Sequence, residues 1–156
     1  MTFRYFEDFR VGEKTDLGRH TVSEAEILSF ARQYDPQRIH TDRDFAANGP
    51  FGELIASGWH TCAMFMRLLV DAMLMESSAI ASPGVDNIRW IRPVRAGDML
   101  RAEAEAIEVL PSRTRPDRGL VKHDCKVFNQ HDELVMTLRT LALFSRKPVS
   151  GNVGKP

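Results

Sequence analysis

The sequence lacks the features that would place it in several special classes of protein. Among its 156 residues there are two cysteines, and Lys plus Arg equal Asp plus Glu at 21 each. A nucleic-acid-binding protein needs an excess of cations to displace phosphate counterions, so no nucleic-acid partner is expected. Cys62 and Cys125 each lie in an apolar stretch, which is typical of reduced structural thiols rather than of a disulfide framework.

Long hydrophobic runs are missing as well. The most apolar stretch, residues 62–75, is interrupted by Arg67 and Asp71 and is too short to cross a bilayer. Residues 1–15 carry charges throughout, which argues against a secretory signal. With 43% hydrophobic and 27% charged residues, the chain is expected to form one cytoplasmic globular domain over residues 1–147. The Gly- and Pro-rich tail, residues 148–156, is expected to be disordered.

The first half of the chain has helical patterns after one short strand predicted over residues 14–22. Ser23 and Glu26 form a capping-box pattern, and apolar residues then follow at helical spacing. Pro36 disfavours helical geometry in the residue before it, so this helix is expected to end near Asp35.

Two more helices are predicted in this half. A short one covers residues 42–48, and a long one runs from Ser57 or Gly58 to Glu76. The long helix is apolar on most of its faces, which is typical of a buried helix.

The second half changes to a period of two. Ala102, Ala104 and Ala106 alternate with charged residues, which predicts a strand with one buried face. Small side chains on that face would let the buried helix approach the sheet closely. The predicted strands cover residues 85–95, 100–106, 121–128 and 134–144. Together these elements predict an α+β fold in which one antiparallel sheet wraps around a long central helix.

One carboxylate and one imidazole are candidates for acid–base chemistry. Asp35 ends a predicted helix, and His40 follows five residues later in a predicted loop. A carboxylate can orient an imidazole ring and stabilise its protonated form, and imidazole titrates near neutral pH. On these two residues alone, a capping aspartate and a polar loop histidine are the simpler interpretation.

Gly58 is a candidate for binding a carbonyl oxygen at the start of the buried helix. The first N–H groups of a helix have no internal partners and lie at the positive end of its dipole. A glycine there lets a ligand approach the backbone, so the N–H could serve as an oxyanion hole. An N-cap at Ser57 and a packing glycine at Gly58 explain the same residues equally well.

Three motifs occur in order along the chain: D-x-x-x-x-H-x-D at 35–42, F-G-x-x-I-A-x-G-W at 51–59 and P-V-R-A-G-D-x-L at 93–100. This combination resembles the MaoC-like (R)-specific enoyl-CoA hydratases, and the resemblance covers roughly residues 6–144. It implies a hot-dog fold, which is the sheet-around-helix arrangement that the patterns predict. It also implies a homodimer or higher oligomer, an acyl-CoA or acyl-carrier-protein thioester as substrate, and neither a metal nor a redox cofactor.

The resemblance implies roles for three of the candidate residues. Asp35 and His40 would activate a water for addition to a trans-2-enoyl-CoA, or catalyse the reverse dehydration of a 3-hydroxyacyl-CoA. The Gly58 N–H would stabilise the enolate oxygen of the thioester.

Four nearby residues are candidates for substrate binding. Gln37 and Arg38 stand where many family members have Asn-Pro, and Arg38 could meet an acidic or phosphorylated group. Ser57 stands where a histidine often precedes the glycine. Trp59 would place a wide ring beside the oxyanion site and restrict the acyl pocket.

Other activities remain open at this point. An acyl-CoA thioesterase of the same fold would release free thiol from a saturated acyl-CoA. A non-catalytic subunit would bind acyl thioesters without turnover.

Three arginines in the stretch 111–119, namely Arg113, Arg115 and Arg118, could bind the phosphates of coenzyme A, although a solvated hairpin loop is the simpler interpretation. His60 and Cys62 lack a second pair at metal-ligand spacing, so no metal site is expected.

Overall fold

An antiparallel sheet of five strands forms the scaffold. The structure, a computed structural model, describes residues 3–148. The strand order across the sheet is β1-β3-β4-β5-β2, and every neighbouring pair is antiparallel. The strands are β1 (Lys14–Thr21), β2 (Ala79–Trp90), β3 (Met99–Pro111), β4 (Arg118–Phe128) and β5 (Leu134–Ser145).

The helices lie mostly between β1 and β2 along the chain. They are α1 (Glu24–Tyr34), α2 (Arg38–Thr41), α3 (Arg43–Ala47) and α4 (Gly58–Leu69), and α4 continues as a π-helical segment, Val70–Leu74. The predicted capping box is confirmed at α1, where the Ser23 hydroxyl accepts the Glu26 N–H at 3.2 Å. The predicted long helix is also confirmed, with α4 and its π-helical continuation ending two residues before Glu76.

The core lies between α4 and one face of the sheet. Ala102, Ala104 and Ala106 are each at most 1% exposed, as their alternation predicts. They belong to the same buried cluster as Met64 and Phe65 of α4. Methyl side chains on this face leave room for the larger side chains of the helix, so the sheet and α4 pack closely.

Two details of the predicted secondary structure are wrong. His40 lies in the short helix α2 rather than in a loop. Strand β2 begins at Ala79 and ends at Trp90, whereas the sequence predicts a strand over 85–95. The early part of β2 contains Pro83 and Gly84, and two of the three register shifts between β2 and β5 lie there, so it has no regular alternation to detect.

Three remaining expectations concern the cysteines, the membrane and the tail. Cys62 is half-buried, Cys125 is buried, and both are free thiols. Within residues 3–148, no helix is long and apolar enough to span a membrane. The predicted disordered tail, apart from Pro148, lies outside the described residues.

Candidate active site

Asp35 and His40 come together where α1 ends and α2 begins. Asp35 caps the C-terminus of α1, and His40 is buried in α2. His40 Nδ1 lies 2.7 Å from the Ile55 carbonyl oxygen. A carbonyl oxygen only accepts hydrogen bonds, so Nδ1 carries a proton. The other ring nitrogen, Nε2, therefore faces Asp35 Oδ2 at 3.4 Å, with its lone pair available when the ring is neutral.

Two side chains hold the Asp35 carboxylate in place. The Ser57 hydroxyl donates to Oδ2 at 2.6 Å, and the Gln37 amide donates to Oδ1 at 2.7 Å. The hydrogen bond from Ser57 is the main cause of a lowered pKa at Asp35; burial opposes it, and Gln37 and His40 add to it. Asp35 is therefore a carboxylate at neutral pH, and it lies beside the His40 ring.

Gly58 is the first residue of α4 and presents its backbone to the same region. Ser57 is the N-cap, and its hydroxyl oxygen accepts the N–H of Trp59 at 3.2 Å. No hydrogen bond among the described residues uses the N–H of Gly58. This N–H lies at the positive end of the helix dipole, so it can donate to an incoming carbonyl oxygen.

His40 and Gly58 line one cavity of about 280 Å³. Most of the lining is apolar, with Thr61 and Arg92 as the other polar side chains. The remaining lining residues are Phe51, Ile55, Ala56, Trp90, Ile91, Pro93 and Val94. An apolar cleft with a few convergent polar groups is the usual form of a small-molecule site.

The four residues predicted to bind substrate occupy different places. Gln37 and Ser57 contact Asp35, and Ser57 is fully buried behind it. The Arg38 side chain is exposed and forms an ion pair with Asp42 at 2.9 Å. Trp59 is 58% exposed, and none of the four lines the cavity. Their assignment as substrate ligands stays a prediction, whereas the contacts of Gln37 and Ser57 show both residues supporting the carboxylate.

Trp90 is one of the cavity residues that the sequence does not identify as part of the site. Its indole N–H donates to the Gly58 carbonyl oxygen at 2.9 Å, across a separation of 32 residues. No local pattern signals this contact, because it depends on the end of β2 meeting the start of α4.

A second polar cluster joins α1 to β1 and α4. Glu26 Oε1 lies 2.6 Å from His20 Nε2 and 3.7 Å from His60 Nε2, and the His60 ring stacks on Phe30 at 4.8 Å. Burial is the main cause of a lowered pKa at His60. Among residues 3–148 no group of three or more His, Cys, Asp or Glu side chains is arranged to hold a metal ion. Through its contacts with His20 and His60, Glu26 connects the helix that Asp35 caps to the helix that begins at Gly58.

A carboxylate–imidazole pair beside an available helix N–H defines a class of site. Such a site suits acid–base chemistry on a carbonyl compound, with the N–H stabilising negative charge on oxygen. The model of the MaoC-like domain family matches residues 8–122. The chain belongs to this family of hydratases and dehydratases.

Comparisons with individual proteins agree with the family. The chain is 33% identical over 112 residues to a 3-hydroxybutyryl-CoA dehydratase of Methylorubrum extorquens, covering 71% of this chain and 69% of that protein. A MaoC-like dehydratase from Rhodospirillum rubrum has a similar structure, with a TM-score of 0.87 and 38% identity over 94% of this chain and 99% of that one. An R-hydratase from Pseudomonas aeruginosa superimposes with a TM-score of 0.75 and 25% identity, covering 97% and 92% of the two chains. These similarities confirm the predicted hot-dog fold.

Proposed function

We propose that this protein is a hydro-lyase that adds water to trans-2-enoyl thioesters and catalyses the reverse dehydration of 3-hydroxyacyl thioesters. The observation that carries the proposal is the convergence of His40 and the Gly58 N–H on one apolar cavity, with Asp35 beside the ring. The relative named as a 3-hydroxybutyryl-CoA dehydratase supports the reaction class. We infer the same role for this chain from its own geometry.

The geometry suggests how each group would act. The thioester oxygen would accept the Gly58 N–H, which polarises the conjugated system and makes the β carbon electrophilic. His40 Nε2 would take a proton from water as the oxygen bonds to the β carbon, and the enolate charge would develop on the thioester oxygen. The protonated ring would then pass its proton to the α carbon. Asp35 would stabilise the imidazolium across the 3.4 Å separation.

The first experiment measures two signals from purified protein given trans-2-butenoyl-CoA. Loss of the ultraviolet absorbance of the conjugated thioester, without release of free thiol, is the expected result. His40→Ala should reduce the rate by about a hundredfold or more, since general acid–base groups are typically worth that much. The fold of the variant is checked by circular dichroism. A folded His40→Ala protein with full activity would refute the assignment.

The same assay separates the rival activities. Thiol release from butyryl-CoA would indicate a thioesterase instead. Binding of acyl-CoA without either signal would indicate a non-catalytic subunit. We propose no cofactor beyond the coenzyme A of the substrate, because the thioester itself activates the double bond. Dialysis against EDTA should therefore leave the rate unchanged.

We also propose that the protein forms a homodimer through the edge strand β2. This strand pairs with β5 on one side, and its other side is an unpaired edge among residues 3–148. Ile80 and Val85 on this strand, and Ile91 just after it, are each more than 40% exposed. An edge strand with exposed apolar side chains is a template for pairing with a second copy. Sedimentation velocity should show a dimer, and Val85→Lys should shift the equilibrium toward monomer; a monomeric wild-type protein would contradict this.

A further inference from the structure

Trp90 occupies the space directly beside Gly58. A Cβ built on Gly58 would lie 2.5 Å from Trp90 Cε2 and 2.8 Å from Cδ2, so the ring fills the place where any side chain would start. Both residues line the cavity that contains His40. A thioester carbonyl that reaches the Gly58 N–H must therefore lie next to the indole.

Three contacts hold this ring in place. Its N–H donates to the Gly58 carbonyl oxygen at 2.9 Å. The Trp59 ring meets it edge to face, with 5.3 Å between centroids and 77° between planes. Its backbone is anchored where β2 pairs with β5, opposite Met136. Moving the indole would break a hydrogen bond and an aromatic contact, so we expect it to keep this position at the side of the cavity.

We propose that Trp90 sets the upper size of the acyl group, so that the substrates are short-chain acyl thioesters. This inference rests on the proposed function and deepens it. The indole takes up volume beside the position of the thioester, and the other walls there are the apolar residues Phe51, Ile91 and Val94. We expect a four-carbon chain to fit in the space that these residues leave, and a longer chain to meet the indole. Trp90 is thus a specificity-determining residue, distinct from the residues proposed to transfer protons.

The test compares two chain lengths in wild-type protein and in Trp90→Ala. The wild type should hydrate trans-2-butenoyl-CoA with a far higher kcat/KM than trans-2-octenoyl-CoA. Trp90→Ala should raise the octenoyl-to-butenoyl ratio by about tenfold or more, the discrimination that one or two methylenes give in an apolar pocket. Trp90→Phe, which keeps an aromatic wall, should shift the ratio in the same direction by less. If Trp90→Ala does not fold, the Phe variant carries the test.

Met66→Ala is the matched control for loss of a large exposed side chain. Met66 is 46% exposed, close to the 47% of Trp90, and lies on α4 outside the cavity. Its variant should leave the ratio unchanged. An unchanged ratio in the folded Trp90 variants would overturn the proposal, as would a wild type that prefers octenoyl-CoA.

A binding measurement separates this proposal from the proposed reaction. Calorimetry with the saturated butyryl-CoA and octanoyl-CoA needs no hydration step. The wild type should bind butyryl-CoA more tightly, and Trp90→Ala should reverse or abolish that preference. If butenoyl-CoA is not hydrated but this preference appears and depends on Trp90, then the proposed function is wrong and the size limit stands. Equal binding of both by wild type would refute the size limit alone.

Discussion

Replacing Ser57 with alanine tests how far the proposed reaction depends on the hydrogen bond that Ser57 donates to the Asp35 carboxylate. Ser57 is fully buried, and its hydroxyl makes two contacts: it donates to Asp35 at 2.6 Å and accepts the Trp59 N–H at 3.2 Å. Ser57→Ala removes both without adding volume. The carboxylate then keeps Gln37 as its one remaining side-chain hydrogen-bond donor among the described residues.

The size of the effect follows from these contacts. A hydrogen bond to a charged group contributes about 1.5–3 kcal/mol, and loss of an N-cap costs about 1 kcal/mol. Because one hydroxyl makes both contacts, the free energy of unfolding should fall by about 2–3 kcal/mol. Asp35 would no longer be held toward His40, and a displacement on the order of 1 Å can lower the rate by about a hundredfold.

The variant should also change the pH dependence of the rate. The Ser57 hydrogen bond is the main cause of the lowered pKa at Asp35, so this pKa should rise when the hydroxyl is removed. If ionised Asp35 is required, the acidic limb of the kcat profile should then move to higher pH. Steady-state kinetics on trans-2-butenoyl-CoA across the acid range measure both effects.

Ser23→Ala is the control for a general loss of stability. Ser23 is the N-cap of α1 and lies in a different hydrogen-bond network, with Glu26. This variant should lose about 1 kcal/mol of stability while keeping kcat and its pH profile. The reasoning fails if Ser57→Ala, still folded, retains wild-type kcat and an unshifted acidic limb.

Three further predictions follow from packing and burial. Gly58→Ala should lower kcat/KM about tenfold or more, because its methyl group would displace the Trp90 ring; Met66→Ala, on the same helix but outside the cavity, is the comparison. Gly119→Ala should cost about 1–3 kcal/mol in urea unfolding, because the methyl would overlap the buried Phe6 ring, and Phe6→Leu should recover part of that loss. Burial, with repulsion from Arg4, lowers the pKa of His123 to about 4 from an ordinary value of 6.5. As pH falls below 6.5 the unfolded chain binds this proton first, so stability should drop by roughly 2–3 kcal/mol between pH 7 and pH 4.5. His123→Leu should show a smaller drop, and an equal drop would contradict this cause.

Much of the fold could be predicted because its elements have local patterns. The capping box at Ser23 marks the start of α1, and the alanines of β3 mark the buried face of the sheet. The helix α2 was missed because four residues are too few to show helical periodicity. The first part of β2 was missed because its bulges and its Pro83-Gly84 pair destroy the alternation on which strand prediction depends.

The candidate site likewise has parts that the sequence predicts and parts that it does not. The motifs place Asp35 and His40 five residues apart, and the structure brings them together. The contact between Ser57 and Asp35 spans 22 residues, and the contact between Trp90 and Gly58 spans 32. Contacts of this kind depend on how α1, α4 and β2 meet in space. The sequence places Ser57 near the site but does not show that it contacts Asp35. It also predicts Trp59 as a substrate-binding residue, whereas the tryptophan that lines the cavity is Trp90.

The two sides of the cavity come from separate parts of the chain. The groups proposed to handle protons and charge all lie between residues 35 and 58, on helix ends. Another wall, residues 90–94, begins at the last residue of the edge strand β2 and carries none of them. An exchange of residues 90–94 between family members should therefore change the preference for the acyl group while keeping Asp35, His40 and Gly58. Substrate range within such a scaffold can thus diverge through cavity residues such as Phe51 and residues 90–94, while Asp35 and His40 stay the same.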